Sequence, residues 1–359
     1  MSIFSLKSCR ILLVSTPVAS LGNGFGGGVE LSLKNLAQSL QLKGHLVTVL
    51  APEGSVLANA ELQTVPGQLQ ISMQFLDRTE AMCLPDNSVL ANLWERARAL
   101  QNDYDLILNF AYDWLPFYLT PFFQTPIAHL VSMCSLTNTM DRMIHQIAQS
   151  FPQSLAFHSQ VQAKTFGLSQ DRFIGNALDL DLYDYCAAPQ DYLAWVGRIS
   201  PEKAIEDAIA VSEATGLELR VYGILQDLDY WELLKQKFPH AAINYRGFLG
   251  TEALQQELRQ SKALLMTPRW VEAFGNVVIE ALACGVPVVA YHRGGPAEII
   301  QDGITGFLVE PDSIEGLVQA LNAIHKIDRQ ACRDRAEKEY SLTAYGDRLN
   351  MWFQALLPD

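Results

Sequence analysis

The sequence has no C-x-x-C pair, no basic run and no apolar stretch long enough to span a bilayer, and each absence removes a class of function. Its six cysteines, Cys9, Cys83, Cys134, Cys186, Cys284 and Cys332, are scattered and show no zinc-ligand spacing. They read as reduced thiols of a cytoplasmic protein rather than as a disulfide framework. Nucleic-acid binders carry a basic stripe, whereas this chain has a net charge of −13 at pH 7 and no Lys/Arg cluster. The same lack argues against docking on anionic lipid. The apolar stretch 114–123 is broken by Pro116 and Pro121 and is no membrane span. Near the N-terminus, the apolar run 11–14 is cut by Ser15, Thr16 and Pro17. It is too short for the core of a signal peptide and reads as a buried first strand.

What the chain does have is length and rhythm. Its 359 residues, 49% hydrophobic and 18% charged, suit two globular domains with their own cores. Short aliphatic runs at 11–14, 46–50, 106–108, 127–131 and 154–157 alternate with helical patterns such as 30–42, which Gly44 ends. The alternation restarts after about residue 185. It continues with runs at 193–196, 217–222, 263–266 and 286–290, and with helices from Pro201, near 230–237 and from Asn276. Such alternation predicts an α/β protein with parallel sheets covered by helices on both faces. Two series predict two doubly wound, Rossmann-like domains, 1–178 and 179–341, with a last helix within 342–359 packing back on the first. Their ligands are expected at the carboxyl ends of the strands.

The most informative stretch runs from Glu272 to Ala290. Two glutamates, Glu272 and Glu280, stand eight residues apart around Phe274-Gly275-Asn276. A helix starting near Asn276 aims the positive end of its dipole at whatever lies above it, and a diphosphate suits that place. Glu272 falls in the preceding loop, and Glu280 about 6 Å along the helix axis. The two carboxylates can therefore hold hydroxyls on different parts of one elongated ligand. Two cations, Arg198 and Lys203, follow the run 193–196. Fixed cations there favour departure of a diphosphate, because the charge on it grows in the transition state.

These residues resemble the retaining GT-B glycosyltransferases of family 4. The resemblance rests on Glu272-x7-Glu280, on Gly285-Val-Pro287-Val288, on Gly294-Gly295-Pro-Ala-Glu298 and on Asp302-Gly303-Ile-Thr305-Gly306. Gly197-Arg198 with Lys203 adds to it, although Ala204 stands where the family has glycine. The match is strong in the C-terminal half and weak in the N-terminal half. It implies a GT-B fold, with two Rossmann-like domains facing across a cleft and the donor held by the C-terminal half. It further implies a metal-independent, retaining hexosyltransferase that takes a nucleotide-sugar as co-substrate and needs no cofactor. Glu272 would meet donor sugar hydroxyls and Glu280 the ribose, while Phe274, Gly275, Asn276 and Val277 would line the sugar and phosphates. Overall likeness to pteridine glucosyltransferases points to UDP-glucose as donor and a pterin such as tetrahydrobiopterin as acceptor. A lipid-linked or polysaccharide sugar is the alternative acceptor.

In the N-terminal half, the loop 22–28 holds five glycines. The resemblance maps its Gly27 and Gly28 onto a loop near the donor, while Phe25 is a candidate acceptor contact. Gly22, Gly24 and Gly27 also fit the dinucleotide fingerprint, with Glu53 as ribose acid, which keeps an NAD-dependent oxidoreductase open. The first glycine nevertheless lies eight residues past Val14 rather than directly after it. His129 stands in the apolar pattern 126–131, read as a strand terminus, and is either a contact to the sugar, as the resemblance implies, or a hydrogen-bonded core residue. Residues 110–123 hold seven aromatics, among which Tyr112 and Trp114 are candidates to stack on a flat acceptor, core packing being the alternative. Asp179-x-Asp181 and Asp227-x-Asp229 match a metal pattern of another glycosyltransferase fold by accident of short length, and Arg198 and Lys203 can do the work of a divalent ion, so no catalytic metal is expected.

Overall fold

The computed structural model describes residues 7–22, 27–58, 60–80, 83–169 and 171–357. The chain divides into two compact units, Met1–Ala177 with Leu342–Asp359, and Leu178–Ser341.

The first unit is built on strands β1 (Arg10–Val14), β2 (Leu46–Pro52), β3 (Glu61–Val65), β4 (Leu106–Asn109), β5 (Ile127–Val131) and β6 (Leu155–Phe157). All neighbours are parallel, in the order β3-β2-β1-β4-β5-β6. Strand β1 explains why both faces must be covered. Successive side chains point to opposite faces, and Ile11, Leu12, Leu13 and Val14 are all fully buried. Ile11 and Leu13 pack under helices Gly27–Leu42 and Leu342–Leu356, through Leu33, Leu36, Tyr345, Leu349 and Phe353. Leu12 and Val14 pack on the other face against Leu93 and Trp94 of helix Val89–Leu100. The C-terminal helix is thus part of the first unit's core.

The second unit repeats the plan with β7 (Tyr192–Val196), β8 (Glu218–Tyr222), β9 (Ile243–Gly247), β10 (Ala263–Met266), β11 (Val288–Tyr291) and β12 (Gly306–Val309). Its order is β12-β11-β10-β7-β8-β9, again parallel throughout. In each sheet the chain builds outward from one central strand and then returns to that strand's other side. The switch points lie between β1 and β4 and between β7 and β10, where loops diverge and leave room for a ligand.

One expected element differs. Residues 201–203 form a 3-10 turn, and the helix begins only at Ile205–Thr215. Ala204 between them has φ 47°, a left-handed conformation that breaks the helix before it starts. Among the described residues no helix is long and apolar enough to cross a membrane.

Candidate active site

In the second unit, the loops after β7 and β10 flank the switch point, and they carry Arg198, Lys203 and Glu272. The ammonium of Lys203 forms an ion pair with Oε1 of Glu272. Trp270 Nε1 donates to the same oxygen at 2.7 Å, and the Lys203 ammonium lies 4.7 Å from the Trp270 ring centroid. The two charged side chains are only 18% and 13% exposed. Their interaction is therefore screened far less than a surface pair, and loss of either partner strands the other.

Arg198 pairs with Glu202 at 3.0 Å, and Ser200 Oγ donates to the same Glu202 oxygen at 2.7 Å. The backbone carbonyl of Glu202 in turn accepts from Arg269 N at 2.9 Å. The Arg269 guanidinium reaches Glu206 and Asp207 at the start of helix Ile205–Thr215. Trp195 Nε1 donates to Thr267 Oγ1 at 3.3 Å, and Thr267 Oγ1 donates to Ala204 O at 2.9 Å. The cationic loop and the carboxylate loop are thus stitched together along their length.

The carboxylate loop owes its path to glycine. Gly275 precedes helix Asn276–Ala283 with φ 103°, and a Cβ there would sit 2.9 Å from Pro296 Cγ. The Gly294-Gly295 turn lies directly under the loop, with Gly295 N donating to Glu272 O at 2.8 Å. A Cβ on Gly294 would lie 2.7 Å from Glu272 N, and one on Gly295 2.4 Å from Phe274 O. Any side chain at these positions would push Glu272 and Phe274 out of place. The ring of Phe274 is itself buried against Tyr340 at 6.0 Å. Asn276 and Val277, both half-buried, form the first turn of the helix.

Glu280 lies one turn further along and is buried. Tyr183 donates its hydroxyl to Glu280 Oε1 at 3.1 Å. Burial pushes the Glu280 carboxyl up to about 7, against the smaller lowering effect of the Tyr183 hydrogen bond.

The first unit holds the remaining predicted residues. His129 stands in the middle of β5 rather than at its end, is fully buried and stacks on Phe117 at 4.3 Å. Both ring nitrogens have partners there, Asn109 at 3.1 Å and Thr120 at 2.9 Å. Desolvation lowers its pKa to about 3. These facts favour the core-residue alternative, because neither nitrogen is left to meet a sugar in this arrangement. Tyr112 is half-buried and its hydroxyl donates to Cys134 O at 3.0 Å. Trp114, also half-buried, packs on Tyr118 at 5.5 Å. Both follow β4 at the switch point of the first sheet. Gly27 and Gly28 begin helix Gly27–Leu42, and Gly28 O accepts from Ser32 Oγ at 2.7 Å. Phe25 lies outside the described residues. Asn176 is buried and donates to Ser32 Oγ at 2.6 Å, a structural bond within the first unit.

Sequence reasoning passed over Trp270, Tyr183, Glu202 and Arg269. Trp270 could have been flagged by its place two residues before Glu272. Tyr183 carries no local signal, since its partner is 97 residues away.

Residues 187–340 match the family model described as glycosyl transferases group 1. The paired six-stranded sheets are the GT-B architecture of glycosyltransferases. HepE of Anabaena, solved with UDP and glucose, superposes with a TM-score of 0.74 at 19% identity, over 97% of this chain and 100% of that one. Sucrose-phosphate synthase of Thermosynechococcus elongatus gives 0.76 at 18% identity, over 97% and 98%. In sequence, glycogen synthase of Mycobacterium tuberculosis is 32% identical over 174 residues, 44% of this chain and 40% of that protein. The chain spans less than half the length of the first curated relatives it matches.

Proposed function

We propose that the protein is a retaining hexosyltransferase that moves glucose from UDP-glucose onto a small soluble acceptor, with the second unit binding the donor. The observation that carries this reading is the contact between Lys203 and Glu272 at the switch point of the second sheet. A cation and an anion side by side suit the place where a sugar joins a phosphate. In this reading Lys203 and Arg198 neutralise the diphosphate, helped by the N-terminus of helix Asn276–Ala283. Glu272 accepts from sugar hydroxyls and Glu280 from the ribose. The bond from C1 to the phosphate oxygen breaks as the bond from C1 to the acceptor oxygen forms on the same face. The acceptor proton passes to the departing phosphate. The protein's part is to stabilise the growing diphosphate charge with fixed groups. Two cations can supply that stabilisation, so the proposal includes no catalytic metal.

The donor is taken as UDP-glucose because HepE was solved with UDP-glucose and with UDP and glucose. A pterin acceptor, such as tetrahydrobiopterin, would stack on aromatic rings of the first unit, with Tyr112 and Trp114 as the candidates. The likeness to glycogen synthase favours a glycan acceptor as the second reading. The test incubates UDP-, ADP- and GDP-glucose with tetrahydrobiopterin, maltooligosaccharides and lipid-linked sugars, and identifies products by mass. Glucosylated pterin with the α linkage is the expected product. Absence of both transfer and donor hydrolysis across the panel, with thermal stabilisation by NAD and not by any nucleoside diphosphate, would replace the reading with the oxidoreductase.

A further inference from the structure

Tyr183 belongs to neither strand nor helix, yet its hydroxyl and its backbone carbonyl both have hydrogen-bond partners. It follows the 3-10 turn Leu180–Leu182 and is 3% exposed. Arg333 clamps its segment to the end of helix Asn276–Ala283, with one guanidinium nitrogen donating to Tyr183 O at 2.7 Å and to Ala283 O at 2.6 Å. Three residues on, Cys186 N donates to Cys284 O at 3.2 Å, and Arg329 Nε donates to Cys186 O at 2.7 Å. The outcome of this clamping is a phenol hydroxyl set against the Glu280 carboxylate. Among the described residues Glu280 makes no ion pair, and Tyr183 is the side chain that bonds it. A buried carboxylate with no cation is costly to ionise and free to turn about its last bond. One donated hydrogen bond reduces both problems and leaves the carboxylate further lone pairs.

We infer that Tyr183 is a positioning residue for Glu280: its hydroxyl holds the carboxylate in the orientation that accepts the ribose hydroxyls of a nucleoside diphosphate. The inference rests on the proposed donor site and adds to it a residue outside both charged loops. Two vicinal hydroxyls can be bound by one carboxylate only when its rotation is held, and a second-layer hydrogen bond supplies that restraint. The bond also sets when the site works. Glu280 must be ionised to accept both hydroxyls, so donor affinity falls as pH drops through about 7. The other titratable and charged groups around this contact are Asp179 beside Tyr183, and Cys284, Arg333, Arg259 and Arg329 around the end of the helix. The arginines remain charged throughout the neutral range.

The test uses the full chain and Tyr183→Phe, which removes the hydroxyl and keeps the ring. Calorimetric titration with UDP, ADP and GDP first finds the nucleotide that binds the wild type; its 2′-deoxy analogue is then compared between pH 6 and 9. The expected result is about tenfold weaker binding of the ribonucleotide by Tyr183→Phe at pH 7. Its acid limb should move to higher pH, and its preference over the deoxy analogue should shrink. The unfolding midpoint is measured alongside, and a shift of a few degrees leaves the comparison intact because both ligands are read on one folded variant. Equal affinity, equal deoxy discrimination and an unmoved acid limb would overturn the role of Tyr183. Failure of the wild type to bind any of the three nucleotides would instead overturn the donor site itself.

Discussion

The two units share one strand order but put different chemistry at their switch points. After β7 and β10 the loops carry an ammonium, a guanidinium and a carboxylate, bound to one another through Trp270, Glu202 and Arg269. After β4 the other sheet carries Tyr112, Asp113 and Trp114, and His129 on β5 is sealed in the core. The lesson is that the scaffold decides where a site can be and the loops decide what it does. In the proposed function, the clustered charges of the second unit suit a dianionic donor and the aromatic rings of the first suit a flat acceptor.

Four substitutions press on that contrast. The largest effect is expected from Lys203→Ala, which removes a cation from the charged loop. Turnover should fall by about 10²–10³-fold with a smaller change in donor KM, as measured by steady-state transfer or donor hydrolysis. Near-normal turnover would mean that the two switch points do not differ in function as argued.

Next comes Glu280→Gln. A carboxyl raised to about 7 from 4.5 binds its proton more tightly in the folded state. Stability is therefore present at low pH and is lost as pH rises from 4.5 through 7. The amide should raise stability at pH 8 by about 1–3 kcal/mol in denaturant melts and weaken donor binding, the trade expected of a binding residue. A loss of stability at pH 8 would contradict the burial argument.

His129→Gln should do the reverse in the first unit. The imidazole is held neutral, with its pKa lowered to about 3 from 6.5. The unfolded state takes up the proton first, so stability is full above 6.5 and declines as pH falls toward 3. The variant should lose about 1–2 kcal/mol at pH 7 from disturbed hydrogen bonds, flatten the acid decline and leave kcat unchanged. A large drop in kcat would restore His129 to the catalytic set.

The smallest effect is expected from Ala204→Gly. Relief of the left-handed strain is offset by a lost buried methyl and a more flexible unfolded chain. Melting should register a change below about 1 kcal/mol.

The fold was legible where strands are buried on both faces. The runs that became β1, β2, β4, β5, β6, β7, β10 and β11 are largely apolar because both faces of those strands are buried, and β8 was read from its Leu219, Val221 and Tyr222 in spite of Glu218 and Arg220. Three edge strands, β3, β9 and β12, were not read. They are partly exposed and begin or end in a polar residue or glycine; β3 and β9 show neither a continuous apolar run nor clean alternation, and β12 is only three apolar residues behind a glycine. In the site, Arg198, Lys203, Glu272 and Glu280 stood out through spacing and resemblance. Their partners did not, since Tyr183 and Trp270 act by position alone.

By itself, the sequence determined that there would be two parallel α/β sheets and that charged residues would cluster along residues 198–280, because both are local properties of period, composition and spacing. Only the tertiary structure decided that Lys203 touches Glu272, that Tyr183 reaches Glu280 and that His129 is sealed away. Those contacts join residues 69, 97 and 20 or 9 positions apart. They depend on the order in which strands are laid down and on which faces the helices cover, and these are settled by burial of the whole core rather than by any short segment.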